Sequence, residues 1–290
     1  MSIFPPHHWT IGSNGVFHGI PGGNWERIGA QEYGISSLIR KPDRLLAGAS
    51  WGSGLWEWTE RSDRWKQLHD ETLTEVLAIA SIADSLGVVA GSPFGIATGR
   101  YDEMGAVRWT HHSDALRVNE RFTNTILVHP DDPSTWLIGT EAGVLIVDNT
   151  GANWHRTTLS GTPVRALAFF KGFFWAGTDD AGIWYSEDGI RWDGVAKTPD
   201  GGAIFGLSEA GDSILAATEH GVVVGDKSGN WIRTGPRHLC TSVVAHPGCA
   251  LTWMAGAAPG GLWYTEDSGG SWCQIEGFID VRVILAPETA

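Results

Sequence analysis

Short apolar runs recur along the chain, each closed by a cluster of turn-forming residues, and they fall into repeating groups of four. In each group the first run, such as 125–128, 164–169 or 242–245, often ends in a turn signal like His129-Pro130-Asp131-Asp132-Pro133 or His246-Pro247-Gly248. A second run ends in a small pair, as in Gly139-Thr140, Gly177-Thr178 or Ala217-Thr218. A short loop leads to a third run opened by Gly, and a tight polar turn leads to a fourth that carries Trp.

The repeat is measurable. Gly followed by aliphatic or aromatic residues stands at Gly15, Gly54, Gly95, Gly143, Gly182, Gly221 and Gly261, with successive spacings of 39, 41, 48, 39, 39 and 40 residues. A Trp follows each of them, at Trp25, Trp65, Trp109, Trp154, Trp192, Trp231 and Trp272. Four strands recurring about every 40 residues are the signature of a propeller blade. The pattern predicts an all-β fold: one seven-bladed β-propeller domain over 1–290, built of four-stranded antiparallel blades. The start of the chain, residues 8–13, reads as a second strand, and residues 281–287 read as a first strand. The C-terminal strand is therefore expected to complete the N-terminal blade, which removes open sheet edges.

Composition then explains itself. The 39 Gly and 16 Trp of the 290 residues are largely committed to the repeat, and 42% hydrophobic content is enough for a large core. A formal net charge of −13 disfavours a nucleic acid or an anionic membrane as partner, because both call for a basic footprint. The three Cys are irregularly spaced and lack a C-x-x-C, which argues against a disulfide scaffold or a zinc site and fits a reducing compartment. The first residues have neither a basic nor an apolar leader segment, so a cytoplasmic location is expected. No cofactor or metal site is expected.

The turns before the fourth strands carry a motif. Thr265-Glu266-Asp267-Ser268-Gly269-Gly270-Ser271-Trp272 fits Ser/Thr-x-Asp-x-Gly-x-Ser/Thr-Trp at every defined position; residues 186–192 are a copy shortened by one, and 148–154 and 226–231 are degraded copies. With Gly177-Thr178 and Gly182-Ile183-Trp184-Tyr185 upstream, this resembles the BNR/Asp-box repeat of sialidase-like propellers. The resemblance covers nearly the whole chain and implies the fold, not a function. The Asp can accept backbone N–H bonds in the turn, Gly takes a positive φ, and the Trp packs across the hairpin. Sialidase chemistry is not expected, because the resemblance would require three arginines on the substrate carboxylate and an Arg-Ile-Pro motif, and residues 38–42 read Leu-Ile-Arg-Lys-Pro.

Chemistry is expected where the loops from second to third and from fourth to first strands converge on the axis. After the small pairs stand Asn14, Trp51, Phe94, Glu141, Asp179 with Asp180, Glu219 with His220, and Pro259. The heads of the first strands align as Ser37, Glu75, Thr125, Arg165, Ile204, Ser242 and Arg282. Glu75, Glu141, Asp179 and Glu219 are candidate acid/base carboxylates, which could also bind a polyhydroxylated or cationic ligand. Arg165 and Arg282 are candidates to fork onto an anionic group, with Trp51, Phe94, Asp180 and His220 completing a binding mouth. Equally, the carboxylates can be habitual loop residues, with Glu75 paired to one of the arginines. His129 and His246 read as turn residues, and Cys240 beside His238 as a small buried residue.

No catalytic constellation is complete. The leading expectation is a binding propeller that takes a small molecule, glycan or protein segment at its axial mouth. The alternatives are a carbohydrate-active hydrolase or lyase working through the loop carboxylates, and a lectin holding sugars between blades on Trp56, Trp184 and Trp263.

Overall fold

The computed structural model describes residues 5, 7–29, 32–82, 87–148, 151–196 and 202–288. Positions 149 and 150, in one degraded copy of the Asp-containing turn, lie outside them. The strands form seven four-stranded antiparallel sheets, six of them pairing their members in chain order. The innermost strands are Val283–Leu285, Ile35–Lys41, Ala78–Ser81, Thr123–Val128, Val164–Phe170, Ile204–Ala210 and Cys240–His246, for blades 1 to 7. Neighbouring inner strands touch all the way round, so the sheets close into a ring.

Blade 1 is assembled from both ends of the chain. Val283–Leu285 pairs antiparallel with Trp9–Ser13, with Ile284 opposite Ile11. Arg40 of blade 2 fastens this seam: one terminal nitrogen donates to the carbonyl of Ala286 at 3.0 Å and the other to the Thr10 hydroxyl at 2.7 Å. A single side chain thereby holds the two strands that close the ring.

Small residues at the end of the second strands set how closely blades approach. A Cβ on Gly177 would lie 2.6 Å from Ile204 of the next blade, and one on Gly12 would lie 2.6 Å from Ile35. Gly48, Gly91, Gly139 and Gly256 face Val76, Thr123, Val164 and Val281 in the same way. Blade 6 alone has Ala217 at this position, and the residue ahead of it in the next blade is the small Cys240. Ala217 and Cys240 are fully buried in one cluster. Close packing near the axis is thus a matched pair of small and branched residues at six junctions and of two small residues at the seventh.

The Ser or Thr after the small residue shapes the loop that follows. Thr140 donates its hydroxyl to Gly143 and accepts the Ala142 N–H, at 3.0 and 3.1 Å; Thr218 does the same with Gly221 and His220 at 2.8 and 3.1 Å. Ser92 and Thr178 repeat the arrangement. Each such bond stabilises by about 1 kcal/mol and fixes the direction of the residues that follow it.

The repeat tryptophans divide by role. Trp65 and Trp109 donate from Nε1 to carbonyls of the preceding blade, Ile28 at 2.7 Å and Leu68 at 3.0 Å. Trp192, Trp231 and Trp272 stand one residue before their fourth strands rather than within them. The most deeply buried indoles belong to a different set, Trp9, Trp136, Trp175 and Trp253, near the starts of second strands. In the turns before the fourth strands, Asp188 accepts the N–H groups of Ile190 and Arg191 at 2.8 Å, and Asp267 that of Ser271 at 2.9 Å. These hydrogen bonds hold both carboxyls down to about 2, led by the backbone N–H of Arg191 for Asp188 and by the Ser271 hydroxyl for Asp267. Strand alternation places these turns on the face opposite the expected mouth.

Candidate functional site: the axial mouth

The head of each inner strand departs from regular pairing. Ile35 and Ser37 pair with the adjacent residues Ala49 and Gly48, which leaves Ser36 as an extra residue; Asn124, Arg165, Phe205 and Thr241 are extra in the same way. These are β-bulges, which re-aim a side chain out of the regular alternation. Leu77 and Arg282 occupy the corresponding places in blades 3 and 1, donating backbone N–H bonds to Gly91 and Gly12. All seven line one cup of about 700 Å3 at the end of the central channel.

Two further rows continue down the channel. Ser37, Ala78, Thr125, Ala166, Gly206, Ser242 and Val283 form a row of mostly small residues, and Leu38, Ile79, Ile126, Leu167, Leu207, Val243 and Ile284 form an aliphatic row beneath it. The channel between them holds about 280 Å3. The cup therefore has hydrogen-bonding and charged groups at its mouth and an apolar floor.

This arrangement corrects the alignment of the inner ring. Ser36, Asn124, Phe205 and Thr241 take the places expected for Ser37, Thr125, Ile204 and Ser242, because the bulge inserts a residue that leaves no trace in the hydrophobic pattern, and Leu77 takes the place expected for Glu75 in blade 3, where the strand head follows a long connection. Glu75 does not line the cup, and among the described residues the arginine pairing expected for it is made by other carboxylates.

Arg165 is the hub. Its Nε and Nη2 donate to the two oxygens of Asp179, both at 2.7 Å, and Nη1 donates to Glu141 at 2.6 Å and to the Asn124 side-chain Oδ1 at 2.9 Å. The Asn124 amide closes the network by donating to Glu141 at 3.1 Å. The Asp179 carboxylate, more than any other group, raises the guanidinium above its ordinary value. The hydrogen-bonding fork of Arg165 is filled from within the protein, and an anionic ligand would have to displace a carboxylate to use it.

Arg282 differs. It lines the same cup, half-buried, and its guanidinium has no hydrogen-bond or ion-pair partner among the described residues. Glu219 also lines the cup and pairs with His220 at 3.3 Å. Asp180 accepts a hydrogen bond from Thr162 at 2.6 Å and, with His220, Trp51 and Phe94, stands on the loops around the cup rather than inside it. Ser36, Leu77, Phe122, Asn124, Ala203, Phe205 and Thr241 are the cup residues that the sequence pattern did not point to; a shift of the inner ring by one residue reaches four of them, Ser36, Asn124, Phe205 and Thr241.

Two other groups named from the sequence are placed by the fold. Cys240 is fully buried, and burial pushes its thiol up to about 12, which disfavours a thiolate nucleophile. Trp184 and Trp263 each donate Nε1–H to a carbonyl three residues earlier, at 3.1 and 2.8 Å, and Trp56 donates likewise to Ser53. These half-buried indoles brace the starts of the third strands.

No protein-family model and no curated protein matches the chain. Solved structures do match it. The extracellular domain of BT4673 from B. thetaiotaomicron is similar with a TM-score of 0.70 at 15% identity, over 94% of this chain and 36% of that one. An ancestral GH74 enzyme is similar with a TM-score of 0.66 at 14% identity, over 89% and 38%. The computationally designed Ika8 protein is similar with a TM-score of 0.61 at 16% identity, over 87% and 77%. The chain spans less than half the length of the BT4673 extracellular domain and of the GH74 enzyme. At these identities the likeness shows the fold: a seven-bladed β-propeller.

Proposed function

We propose that this propeller is a binding module that takes its ligand in the axial cup without catalysing a reaction on it. The observation that carries the reading is the Arg165 network. It occupies Asp179 and Glu141, two of the four candidate acid/base carboxylates, while Arg282 stands ready a few blades away. Among the described residues Glu219 is the one carboxylate lining the cup outside that network, and carboxylate-pair hydrolysis needs two with separate roles. The cup volume lies within the usual range for small-ligand sites, roughly 300–1,000 Å3. Arg282 would hold an anionic or carbonyl group, Asn124, Thr241 and Ser36 would exchange hydrogen bonds, and Phe205 and Phe122 supply flat apolar walls. The hydrogen-bonded turns at Asp188 and Asp267 support the resemblance to Asp-box propellers, a group whose shared property is architecture.

Thermal-shift titrations with galacturonate, glucose, spermidine and tripeptides test the reading. At least one probe is expected to raise the melting temperature of the protein, and Arg282→Gln with Phe205→Ala is expected to abolish that response. Hydrolysis of an aryl glycoside that disappears in Glu219→Gln would overturn it.

A further inference from the structure

We propose that the occupant of this face is an extended peptide segment carrying both basic and aromatic or aliphatic side chains. This rests on the cup being a binding site and deepens that reading. The argument starts from one structural position repeated seven times, the loop after each second strand. In blades 2 and 3 it carries Trp51 and Phe94, which are 82% and 70% exposed. In blades 4, 5 and 6 it carries Glu141, Asp179 with Asp180, and Glu219. The surround of the cup is therefore split into an aromatic sector and an acidic sector, on consecutive blades in each case. Val118, 85% exposed, and Phe122 add apolar surface in the connection from blade 3 to blade 4. The acidic sector carries four carboxylates, of which only Asp179 and Glu141 bond the guanidinium of Arg165, so the sector keeps a formal excess of negative charge.

Trp51 adds an independent observation. Its φ of 62° lies in the left-handed region, which a bulky residue without local need rarely adopts, and the indole that this conformation presents is in water. A large exposed aromatic held at a conformational cost is a feature of binding surfaces rather than of cores.

The size of the occupant follows from the geometry. Trp51, Phe94 and Asp180 lie outside the lining of the cup. A small molecule that fills the cup does not reach them, whereas a chain advancing about 3.3 Å per residue spans from one sector to the other. Lysine or arginine side chains match the carboxylates of blades 4 to 6, aromatic or aliphatic side chains match Trp51 and Phe94, and Arg282 can donate to a main-chain carbonyl in between.

Selection from a phage library of random linear dodecapeptides on the intact protein tests this. Enriched sequences are expected to combine Lys or Arg with aromatic or aliphatic residues. A synthetic peptide from that pool is expected to lose about tenfold or more in affinity against Trp51→Ala/Phe94→Ala, and similarly against Asp180→Asn/Glu219→Gln. Its binding should weaken as salt rises. An enriched pool without basic residues, no enrichment, or the same pool recovered on Trp51→Ala/Phe94→Ala would overturn the proposal. These substitutions are solvent-exposed, so circular dichroism melting separates them from unfolding. If peptides fail while a small probe still shifts the melting temperature through Arg282, the peptide assignment falls and the cup remains a binding site.

Discussion

Arg165 and Asp179 face each other through two parallel hydrogen bonds of 2.7 Å, made within one blade from the head of its inner strand to the end of its second strand. The same guanidinium reaches back to Glu141 of the preceding blade, so this contact also ties two blades together. Arg165→Ala is expected to destabilise the fold by about 1–3 kcal/mol, less than a fully buried pair because the three side chains keep 26–31% of their surface in water. Arg165→Lys should recover little, since an ammonium cannot serve both carboxylates in forked geometry. Urea denaturation of the two variants and of Arg165→Ala/Asp179→Asn measures this, and the double variant should lose less than Arg165→Ala.

The junction of blades 6 and 7 offers a sharper test of packing. Cys240→Ile places a larger side chain against Ala217 and is expected to cost about 1–3 kcal/mol by overpacking. Adding Ala217→Gly recreates the pairing of Gly177 with Ile204 and should restore most of the loss. A double-mutant cycle with a coupling near zero would show that the two positions do not share space.

Acid stability should depend on the turn aspartates. Asp188 and Asp267 titrate at about 2 in the fold against about 3.9 in an unfolded chain. The unfolded chain takes up protons first, so their contribution is complete above about pH 4 and is lost as pH falls towards 2. Asp188→Asn and Asp267→Asn are expected to flatten the fall in melting temperature across that window.

Three histidines act at higher pH. Burial lowers the values of His18, His112 and His246, so the fold favours their neutral forms. Their contribution is complete above the unfolded value of about 6.5 and is lost as pH falls below it. Protonation would also oppose the 3.0 Å approach of the His8 and His18 rings. The melting temperature is expected to drop between pH 7.5 and 5.5, and His18→Gln should reduce that drop.

Trp51 should prove dispensable for folding. At its positive φ a Gly carries no side-chain penalty, and Trp51→Gly is expected to leave stability unchanged within about 1 kcal/mol. A large loss of stability would mean that the indole packs more firmly than its exposure implies.

The architecture was legible because its determinants are local. A Gly opening each third strand and a Trp at each fourth are single-residue demands repeated at near-constant spacing. The cup was only half legible. Arg165, Asp179, Glu219 and Arg282 were identified because each follows a local landmark. Asn124, Phe205 and Thr241 were missed because a bulge shifts the inward position by one residue without disturbing the run of apolar residues around it. Glu75 was misplaced for a related reason: the long connection at 68–77 has no landmark that marks where the next strand begins. The Arg165 network was hidden because it joins residues 41 positions apart, from Asn124 to Arg165, through the packing of blade 4 against blade 5.

The seam in blade 1 has a further consequence for how the molecule can be mounted. Trp9 begins its strand, and Leu285 ends its own, at the edge of the ring away from the cup. Whatever is attached at either end therefore meets the propeller from behind, and a tether there would point the cup outwards, open to whatever approaches.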